Sequence, residues 1–326
     1  MNKVLKWTLR VLAALLALIV LAVCGFFAWD RIRCWDFYAE AERGLDIPGL
    51  WDGYVPQGFT YDEQAGVYLT CGYDKSGDAS RIYILDGESE KRIDLKNADG
   101  SDYTGHTGGI ALFGRYVYIT GDKGLDLFLR DEVFEGPTAT LVDTFETPID
   151  PAYCTVYNGV LYTGAFYDKG KYETPAAHHL TTPAGDENTA MLMAYALDTA
   201  SGKPLAEPLA MYSTRSQVQG MTFLSDGVLV LTTSYGLALS GLHYYDISAL
   251  QPHGTFADTD VPLYYLDSAC HIETVDAPPM AEEPVYRDGK VWIMNESASM
   301  KYLFGKLTFA GKVYGIEPPA SVKKLL

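Results

Sequence analysis

A polar residue, a glycine and a short strand-like run occur twice along this chain in nearly the same form. Residues 56–74 read PQGFTYDEQAGVYLTCGYD, and residues 218–236 read VQGMTFLSDGVLVLTTSYG. Short runs of valine, leucine, threonine and tyrosine, bounded by glycine turns, are typical of β-hairpins. A hairpin that recurs along a chain indicates a repeat architecture, in which each unit buries its apolar faces by packing against its neighbours.

Three further segments show the same order of a polar residue, a glycine turn and an apolar strand. They start at His106 (HTGGIALFGRYVYIT), Asp150 (DPAYCTVYNGVLYTG) and Glu282 (EEPVYRDGKVWIM). Units of roughly 45 to 70 residues with up to four strands are typical of β-propeller blades. The sequence therefore predicts an all-β fold, a five-bladed β-propeller.

The predicted blades occupy residues 56–103, 104–148, 149–213, 214–268 and 277–320. A six-bladed propeller is an alternative, because the third unit contains a long insertion at residues 167–190. This insertion is rich in glycine, proline and threonine, which favours a loop. We also consider that the final run KVYGIEP pairs with a segment near LDIPGL and closes the ring. A pair of β-sandwiches is the competing architecture.

The N-terminal residues are of a different kind. Val11–Trp29 carries no charge and would span roughly 28 Å as a helix, close to the hydrocarbon thickness of a bilayer. Lys3, Lys6 and Arg10 precede this run, which predicts a cytoplasmic N-terminus and an extracytoplasmic remainder. A cleaved signal peptide is the alternative, but the apolar run continues through GFFAW without a small-residue cleavage site.

We therefore predict a single-pass protein of the cell membrane. Its parts are a cytoplasmic N-terminus at residues 1–10, a transmembrane helix at 11–29, a juxtamembrane stalk at 30–49 with a short helix at 36–45, and an extracytoplasmic propeller at 50–326. The formal net charge is −17, with 25 basic and 42 acidic residues. Because phosphate binding needs a basic face, this charge argues against a nucleic-acid partner. We expect the acidic surface to serve solubility.

Each predicted blade begins with a polar side chain directly before an apolar strand. The five residues are Gln57, His106, Asp150, Gln219 and Glu282. Because the first strands of propeller blades line a central channel, we expect these side chains to form a ligand-binding pocket at one mouth of it. Their carboxylate and amide oxygens suit a polar small molecule or a calcium ion. The alternative is that they cap strand ends and hold ordered water.

Glu296, in the run NESASMKY, lies where other units have threonine or glycine after their second strand. A buried carboxyl at this place could act as a general acid or base. Glu282, Glu296 and His106 are therefore the candidate catalytic residues of an enzyme, with His106 polarising the substrate. The standard hydrolase and metalloprotease motifs do not occur in the sequence. His178 and His179, in the insertion, are expected at the surface, since no further ligands lie at metal-binding spacing.

The segments PQGFTYDEQAGVYLTCGYDKSGDASRIYIL and VQGMTFLSDGVLVLTTSYGLALSGLHYYD resemble the blade unit of the glutamine cyclotransferase family. Members of that family are five-bladed propellers, and the resemblance implies cyclisation of an N-terminal glutamine without zinc, with a glutamate as general acid or base. Where the family has its Glu-Ser-Thr-Gly turn, these two units have LTCG and LTTS, which contain no carboxylate. The resemblance therefore leaves Glu296, in NESA, as the candidate for the glutamate's role. The architecture is also similar to lactonase-like and NHL-like propellers, which implies a calcium ion in the channel.

The sequence thus predicts a membrane-anchored propeller that binds a small polar or glycan-like ligand, or a protein partner, at the channel mouth. One alternative is a hydrolase or a glutamine-cyclotransferase-like enzyme that uses a channel glutamate. The other is a non-catalytic scaffold that presents its acidic rim to partners.

Overall fold

The described part of the chain is mostly β-strand and carries one long apolar helix at its N-terminus. These observations come from a computed structural model, and the structure describes residues 2–87, 89–257, 259–302, 305 and 310–326.

Four α-helices, 23 strands and two short 3-10 turns make up the described elements. The helices are α1 (Lys3–Arg33), α2 (Trp35–Glu40), α3 (Arg130–Glu135) and α4 (Ala320–Lys323). The strands of the first half are β1 (Glu42–Asp46), β2 (Tyr54–Asp62), β3 (Val67–Asp74), β4 (Arg81–Asp86), β5 (Ser89–Lys96), β6 (Ile110–Phe113), β7 (Tyr116–Gly121), β8 (Gly124–Leu129), β9 (Thr138–Glu146), β10 (Pro151–Tyr157) and β11 (Val160–Ala165). Those of the second half are β12 (Leu180–Thr181), β13 (Glu187–Asn188), β14 (Ala190–Ala196), β15 (Ala210–Thr214), β16 (Val218–Ser225), β17 (Val228–Thr233), β18 (Ser240–Asp246), β19 (Leu263–Tyr265), β20 (His271–Ala277), β21 (Val285–Arg287), β22 (Lys290–Ile293) and β23 (Lys312–Ile316).

The strands form antiparallel groups in which neighbours along the chain pair with one another. The groups run β2-β3-β4-β5, β6-β7-β8-β9, β10-β11-β14-β15, β16-β17-β18-β20 and β21-β22-β23-β1. A parallel contact between β5 and β9 joins the first two groups, and β19 lies parallel to β15 at the edge of the third. The first strand of each group contacts the first strands of its neighbours, in the order β2, β6, β10, β16, β21 and again β2. The sheets therefore form a propeller-like arrangement.

The hydrophobic core lies between neighbouring sheets. One cluster packs β3 and β4 against β7, and the next packs β7 and β8 against β11 and β14. Two more lie between the third and fourth groups and between the fourth and fifth, while Phe59 and Met294 belong to the cluster that joins the fifth group to the first. Because each buried aliphatic or aromatic side chain contributes roughly 1.5–3 kcal/mol, these contacts between sheets stabilise the arrangement.

Glycines follow the polar residues at the start of the first strands because the backbones approach closely there. A Cβ atom on Gly58 would lie 2.7 Å from the backbone nitrogen of Ile110, and one on Gly109 would lie 2.6 Å from that of Cys154. Side chains at these two positions would force neighbouring sheets apart.

The two ends of the described domain share one sheet. Strand β1 pairs with β23, with Glu42 opposite Gly315 and Asp46 opposite Lys312. The considered pairing of KVYGIEP with an N-terminal segment is present, a few residues earlier than LDIPGL. The predicted helix at residues 36–45 is wrong in its second half, because backbone pairing with β23 overrides the helical propensity of residues 42–46.

Two unit boundaries also differ from the prediction. The structure places β19 in the third group and includes β20 in the fourth, whereas the sequence predicts a fourth unit that ends at residue 268. Within the insertion at 167–190, the structure contains a short 3-10 turn and the small hairpin of β12 and β13.

Helix α1 is long and apolar enough to cross a membrane, by length and composition. It contains the predicted apolar run Val11–Trp29 and continues to Arg33. The residues that follow it contact the domain, since Cys34, Phe37 and Tyr38 are buried beside β18 and β23. The segment at 30–49 is therefore packed against the sheets along part of its length.

Candidate functional site

A cavity of about 880 Å³ opens at the end of the sheets where the first strands begin. Gln57, His106, Asp150 and Gln219 all line it, although they are far apart in the sequence. Each is held by the start of a different first strand, or by the loop directly before it. Glu282 is buried behind the wall, and the Nε2 atom of Gln219 lies 3.5 Å from its Oε1 atom. The structure thus brings four of the five predicted residues to one cavity and places the fifth against it.

Glu296 also lines this cavity, at the start of a 3-10 turn that follows β22. Its Oε1 atom accepts hydrogen bonds from the hydroxyls of Tyr302, at 2.8 Å, and Tyr73, at 3.1 Å. The Nζ atom of Lys301 lies 3.7 Å from the same oxygen. Two hydroxyl donors and an ammonium group therefore fix the orientation of this carboxylate.

His106 packs against this group of side chains. Its ring stacks on that of Tyr73 with centroids 4.8 Å apart, and Lys301 donates a hydrogen bond to the Tyr73 hydroxyl. His106 keeps accessible surface where it lines the cavity, while neighbouring protein atoms exclude solvent from part of its imidazole. This desolvation lowers the pKa of His106 to about 4, and the positive charge of Lys301 contributes in the same direction. At neutral pH, His106 is therefore an uncharged donor and acceptor.

The tyrosines of the site stay protonated because their environment disfavours the phenolate. Burial raises the pKa of Tyr73 and Tyr302, and the adjacent carboxylate of Glu296 raises both further. Both groups therefore act as hydroxyl donors across the physiological pH range.

The acidic residues beside the cavity have perturbed pKa values for the same physical reason. Burial raises the pKa of Glu282 well above its ordinary value, and the nearby carboxyls of Glu296 and Glu283 raise it further. Burial also raises the pKa of Asp150, with a contribution from Asp122. Glu282 and Glu296 are neighbouring carboxyls in different environments. Enzymes use such pairs as a general acid and a general base, because the environments separate the two pKa values.

Sequence reasoning missed Glu283, the second glutamate of the run EEP. Its carboxyl group is buried and accepts hydrogen bonds from the backbone N–H groups of Phe59, Ile110 and Cys154, each at 3.0 Å. These donors belong to the strands β2, β6 and β10. One side chain from the fifth group of strands therefore connects the first strands of three other groups, directly beneath the cavity.

The insertion covers one side of the cavity. Residues 171–175 contribute to its lining, and the Nζ atom of Lys171 donates a hydrogen bond of 3.0 Å to the hydroxyl of Tyr235. The expected surface position of His178 is wrong, because a 3-10 turn folds its ring into the cavity wall beside Phe256. His179 is exposed, as expected.

Other residues that sequence reasoning missed could have been found from the repeat itself. Tyr73 in LTCGYD and Tyr235 in LTTSYG occupy equivalent positions in the two quoted segments, and both reach the site. Lys301 and Tyr302 end the run NESASMKY, which also contains Glu296. No comparable pattern marks Lys171, because it lies in an insertion without a counterpart in the other units.

A metal site does not stand out among the described residues. No group of three or more histidine, cysteine, aspartate or glutamate side chains there is placed to hold an ion. A calcium ion held by the amide and carboxylate oxygens of the cavity therefore stays a prediction.

Comparisons with known proteins give two distant structural similarities. No protein-family model matches the sequence, and no curated protein matches it. A solved structure of hydrazine synthase from Kuenenia stuttgartiensis is similar at 10% identity and a TM-score of 0.37, over 77% of this chain and 56% of that one. A chain in the crystal structure of a nidogen/laminin complex is similar at 13% identity and a TM-score of 0.41, over 74% and 73%. This chain thus spans a little over half the length of the hydrazine synthase chain, and neither similarity assigns it a function.

Proposed function

We propose that the protein is a membrane-anchored, extracytoplasmic five-bladed β-propeller whose cavity binds a small polar, glycan-like ligand. The observation that carries this proposal is the convergence of Gln57, His106, Asp150 and Gln219 on one cavity together with Glu296. Polar side chains from separate strands that meet in a concave site are the usual composition of a binding pocket.

Two features support the closed propeller. Hydrophobic clusters lie between each pair of neighbouring strand groups, including the last and the first. The shared sheet of β1 and β23 also supports it, since propellers avoid open edges by such pairing. The apolar run of α1 and the basic residues before it support the anchor and its orientation.

The dimensions of the cavity favour a small molecule over a protein partner. Its volume of about 880 Å³ lies within the range of roughly 300 to 1,000 Å³ that small-molecule sites occupy. Among the described lining residues, four carry carboxyls and two are lysines: Asp122, Asp150, Glu173, Glu296, Lys171 and Lys301. An excess of carboxyls disfavours an anionic ligand. Amides, tyrosine hydroxyls and carboxylates together can donate to and accept from the hydroxyl groups of a sugar.

The proposal is tested with the full chain in detergent micelles, by calorimetric titration with a panel of neutral mono- and oligosaccharides. We expect Glu296→Gln to weaken binding by about 10- to 100-fold, because hydrogen bonds that involve a charged group contribute roughly 1.5–3 kcal/mol. Gln219→Ala should weaken it by about 2- to 10-fold, because neutral hydrogen bonds contribute roughly 0.5–1.5 kcal/mol. Glu90→Gln, at an exposed site on β5, is the matched control and should leave binding unchanged. Equal affinities in all variants would contradict the assignment of this cavity.

Calcium is tested in the same preparation. A channel ion would raise the melting temperature on addition of calcium, and a chelator would reverse the effect. An unchanged melting temperature would remove the ion from the proposal and leave the sugar site as it stands.

A second candidate function is a hydrolase or a glutamine-cyclotransferase-like enzyme. The observation that favours it is the pair of carboxyls, one buried with a raised pKa at Glu282 and one oriented by two tyrosines at Glu296. The neutral imidazole of His106 would polarise the substrate. The test is product formation from glycosides, esters, lactones and peptides with N-terminal glutamine, with activity lost in Glu296→Gln. If neither turnover nor binding is found, a scaffold role becomes the better explanation.

A further inference from the structure

The C-terminal end of α1 touches the domain beside the mouth of the cavity. The Nη1 atom of Arg33 donates a hydrogen bond of 2.6 Å to the backbone oxygen of Leu237. The three residues directly before Leu237, at 234–236, line the cavity. Asp30, one turn before the end of the helix, is buried against the domain and lies 3.4 Å from Arg33. The helix and the mouth are therefore on the same side of the molecule.

The distance along the helix fixes how close this mouth is to a bilayer. The apolar run ends at Trp29, and Arg33 follows four residues later, or roughly 6 Å along the helix axis. The polar layer on each side of a membrane is roughly 5 to 8 Å thick. Leu237, which is held by Arg33, therefore lies at the depth of the lipid headgroups when the apolar run spans the hydrocarbon.

Exposed apolar side chains surround the same end of the sheets. They are Trp51, Tyr172, Tyr235, Leu237 and Met300. Trp51 precedes β2, while the others belong to loops that line the cavity or adjoin its lining. Exposed apolar and aromatic groups collected at one end of a domain mark an interaction surface, and aromatic residues are enriched where proteins meet the membrane interface.

From these observations we infer that the mouth of the cavity faces the bilayer and that its ligand is the neutral sugar headgroup of a membrane glycolipid. This inference rests on the proposed function and names the source of the ligand. The exposed apolar rim contacts lipid, while the headgroup enters the cavity past Lys171 and Lys301. The excess of carboxyls in the lining favours a neutral headgroup over a phosphate. A soluble sugar would gain nothing from an apolar rim at this depth.

The first experiment tests the position of the rim. A photo-crosslinking residue such as p-benzoylphenylalanine replaces Leu237 in one variant of the full chain and Leu205 in another. The two leucines are similarly exposed, at 45% and 52%, but the backbone N–H of Leu205 donates to Ala196, at the end of β14 remote from the cavity. Both proteins are reconstituted in vesicles of phosphatidylglycerol with a minor fraction of diglucosyl-diacylglycerol.

We expect the variant at position 237 to form covalent lipid adducts on illumination, seen by mass spectrometry, and the variant at 205 to form none. Equal adduct formation at both positions, or none at 237, would overturn the inference. Because both side chains project from the surface, melting curves like that of the wild type are expected and confirm that each variant is folded.

The second experiment tests the headgroup. In nanodiscs, diglucosyl-diacylglycerol should raise the melting temperature by several degrees, and Glu296→Gln should abolish the shift while Glu90→Gln keeps it. If free sugars bind the cavity while the glycolipid gives no shift, the inference fails and the proposed function stands. If neither free sugar nor glycolipid binds, both fail. A shift with phosphatidylglycerol alone would contradict the neutral headgroup.

Discussion

Glu283 holds three neighbouring first strands through one carboxyl group, and we expect the stability of the protein to depend on it. Its two oxygens accept hydrogen bonds from three backbone N–H groups. Burial raises the pKa of Glu283 while the three donors oppose the rise. The side chain therefore supplies the acceptor for three N–H groups on three separate strands.

Substitution of Glu283 tests this role against its neighbour. In Glu283→Gln, an amide N–H₂ group meets a backbone N–H group, so at least one buried donor loses its acceptor, at a cost of about 1–3 kcal/mol. Glu283→Ala removes all three acceptors and should cost more. The matched control is Glu282→Gln, because Glu282 is equally buried, at 1% exposure, but accepts from none of these donors.

The measurement is the free energy of unfolding from urea titrations in detergent. Burial raises the pKa of Glu282, so the folded chain keeps a proton that the unfolded chain has lost above its usual pKa. The contribution of Glu282 to the free energy of unfolding of the wild type therefore falls as the pH rises above about 4.5. Because a glutamine carries no charge to bury, Glu282→Gln should leave this free energy unchanged or raise it at pH 7. Equal losses for Glu282→Gln and Glu283→Gln would contradict the distinct role of Glu283.

The titration of His106 is a second prediction at the scale of the residue. Its pKa of about 4 arises first from burial and then from the charge of Lys301. Lys301→Met removes that charge, so the pKa of His106 should rise but stay below the usual value near 6.5. Imidazole NMR shifts followed from about pH 3 to about pH 8 measure both pKa values, because this range brackets both the lowered and the usual histidine pKa. An unchanged or lower pKa in the variant would contradict the contribution of Lys301.

At this scale the repeat predicts some of the site and omits the rest. The head positions Gln57, His106, Asp150 and Gln219 follow from the alignment of units, because equivalent residues of a repeat occupy equivalent places. The role of Glu283 cannot be predicted this way. Its partners are backbone N–H groups of three other units. Nearly every residue has such a group, so the sequence does not show which of them a side chain will contact.

Strand β1 is the element whose removal should have the largest effect. A chain that starts at residue 30 keeps α2 and β1, whereas one that starts at residue 47 loses both. The loss exposes the backbone edge of β23 and uncovers Tyr314 and Ile316, which pack on α2 residues in the intact domain. Exposed strand edges pair with other chains and lead to aggregation.

We therefore expect the chain from residue 30 to elute as a folded monomer, and the chain from residue 47 to aggregate or to melt without a cooperative transition. Size-exclusion chromatography and circular dichroism provide the measurement. A third chain that starts at Glu42 separates the contribution of the strand from that of α2. Matching melting curves for the starts at 30 and 47 would contradict a structural role for the first strand.

The elements also show where local patterns stop being informative. The hairpins from β2 to β3 and from β16 to β17 follow from alternation and turn residues within one segment. The strand at residues 42–46 and the parallel contact of β19 with β15 depend on partners remote in sequence. Local propensity carries no information about such partners, so the sequence alone predicts a helix over the first segment and places the second in the fourth unit.

At the scale of the whole molecule, the ring of contacts predicts cooperative unfolding. The first strands β2, β10 and β16 each touch two neighbours, so opening one sheet exposes the core of the next. Amide hydrogens in these strands should exchange through global unfolding, with a common free energy and a common dependence on urea. The hairpin of β12 and β13 has no such neighbours in its own sheet and should exchange through local opening.

Hydrogen exchange followed by mass spectrometry at low urea concentrations measures this difference. A first strand that exchanges with a weaker urea dependence than the others would show that its sheet opens alone. That result would contradict the closed ring in the proposed function and leave the antiparallel groups themselves unaffected.

The sheet that contains both β1 and β23 can form only at the end of biosynthesis, because it needs strands from both ends of the chain. The ribosome makes β1 directly after the apolar helix, long before it makes the strand that β1 must join. A nascent chain therefore carries an unpaired strand until the final segment emerges. Chaperones that shield such strands would then decide how much of the newly made protein reaches its native form.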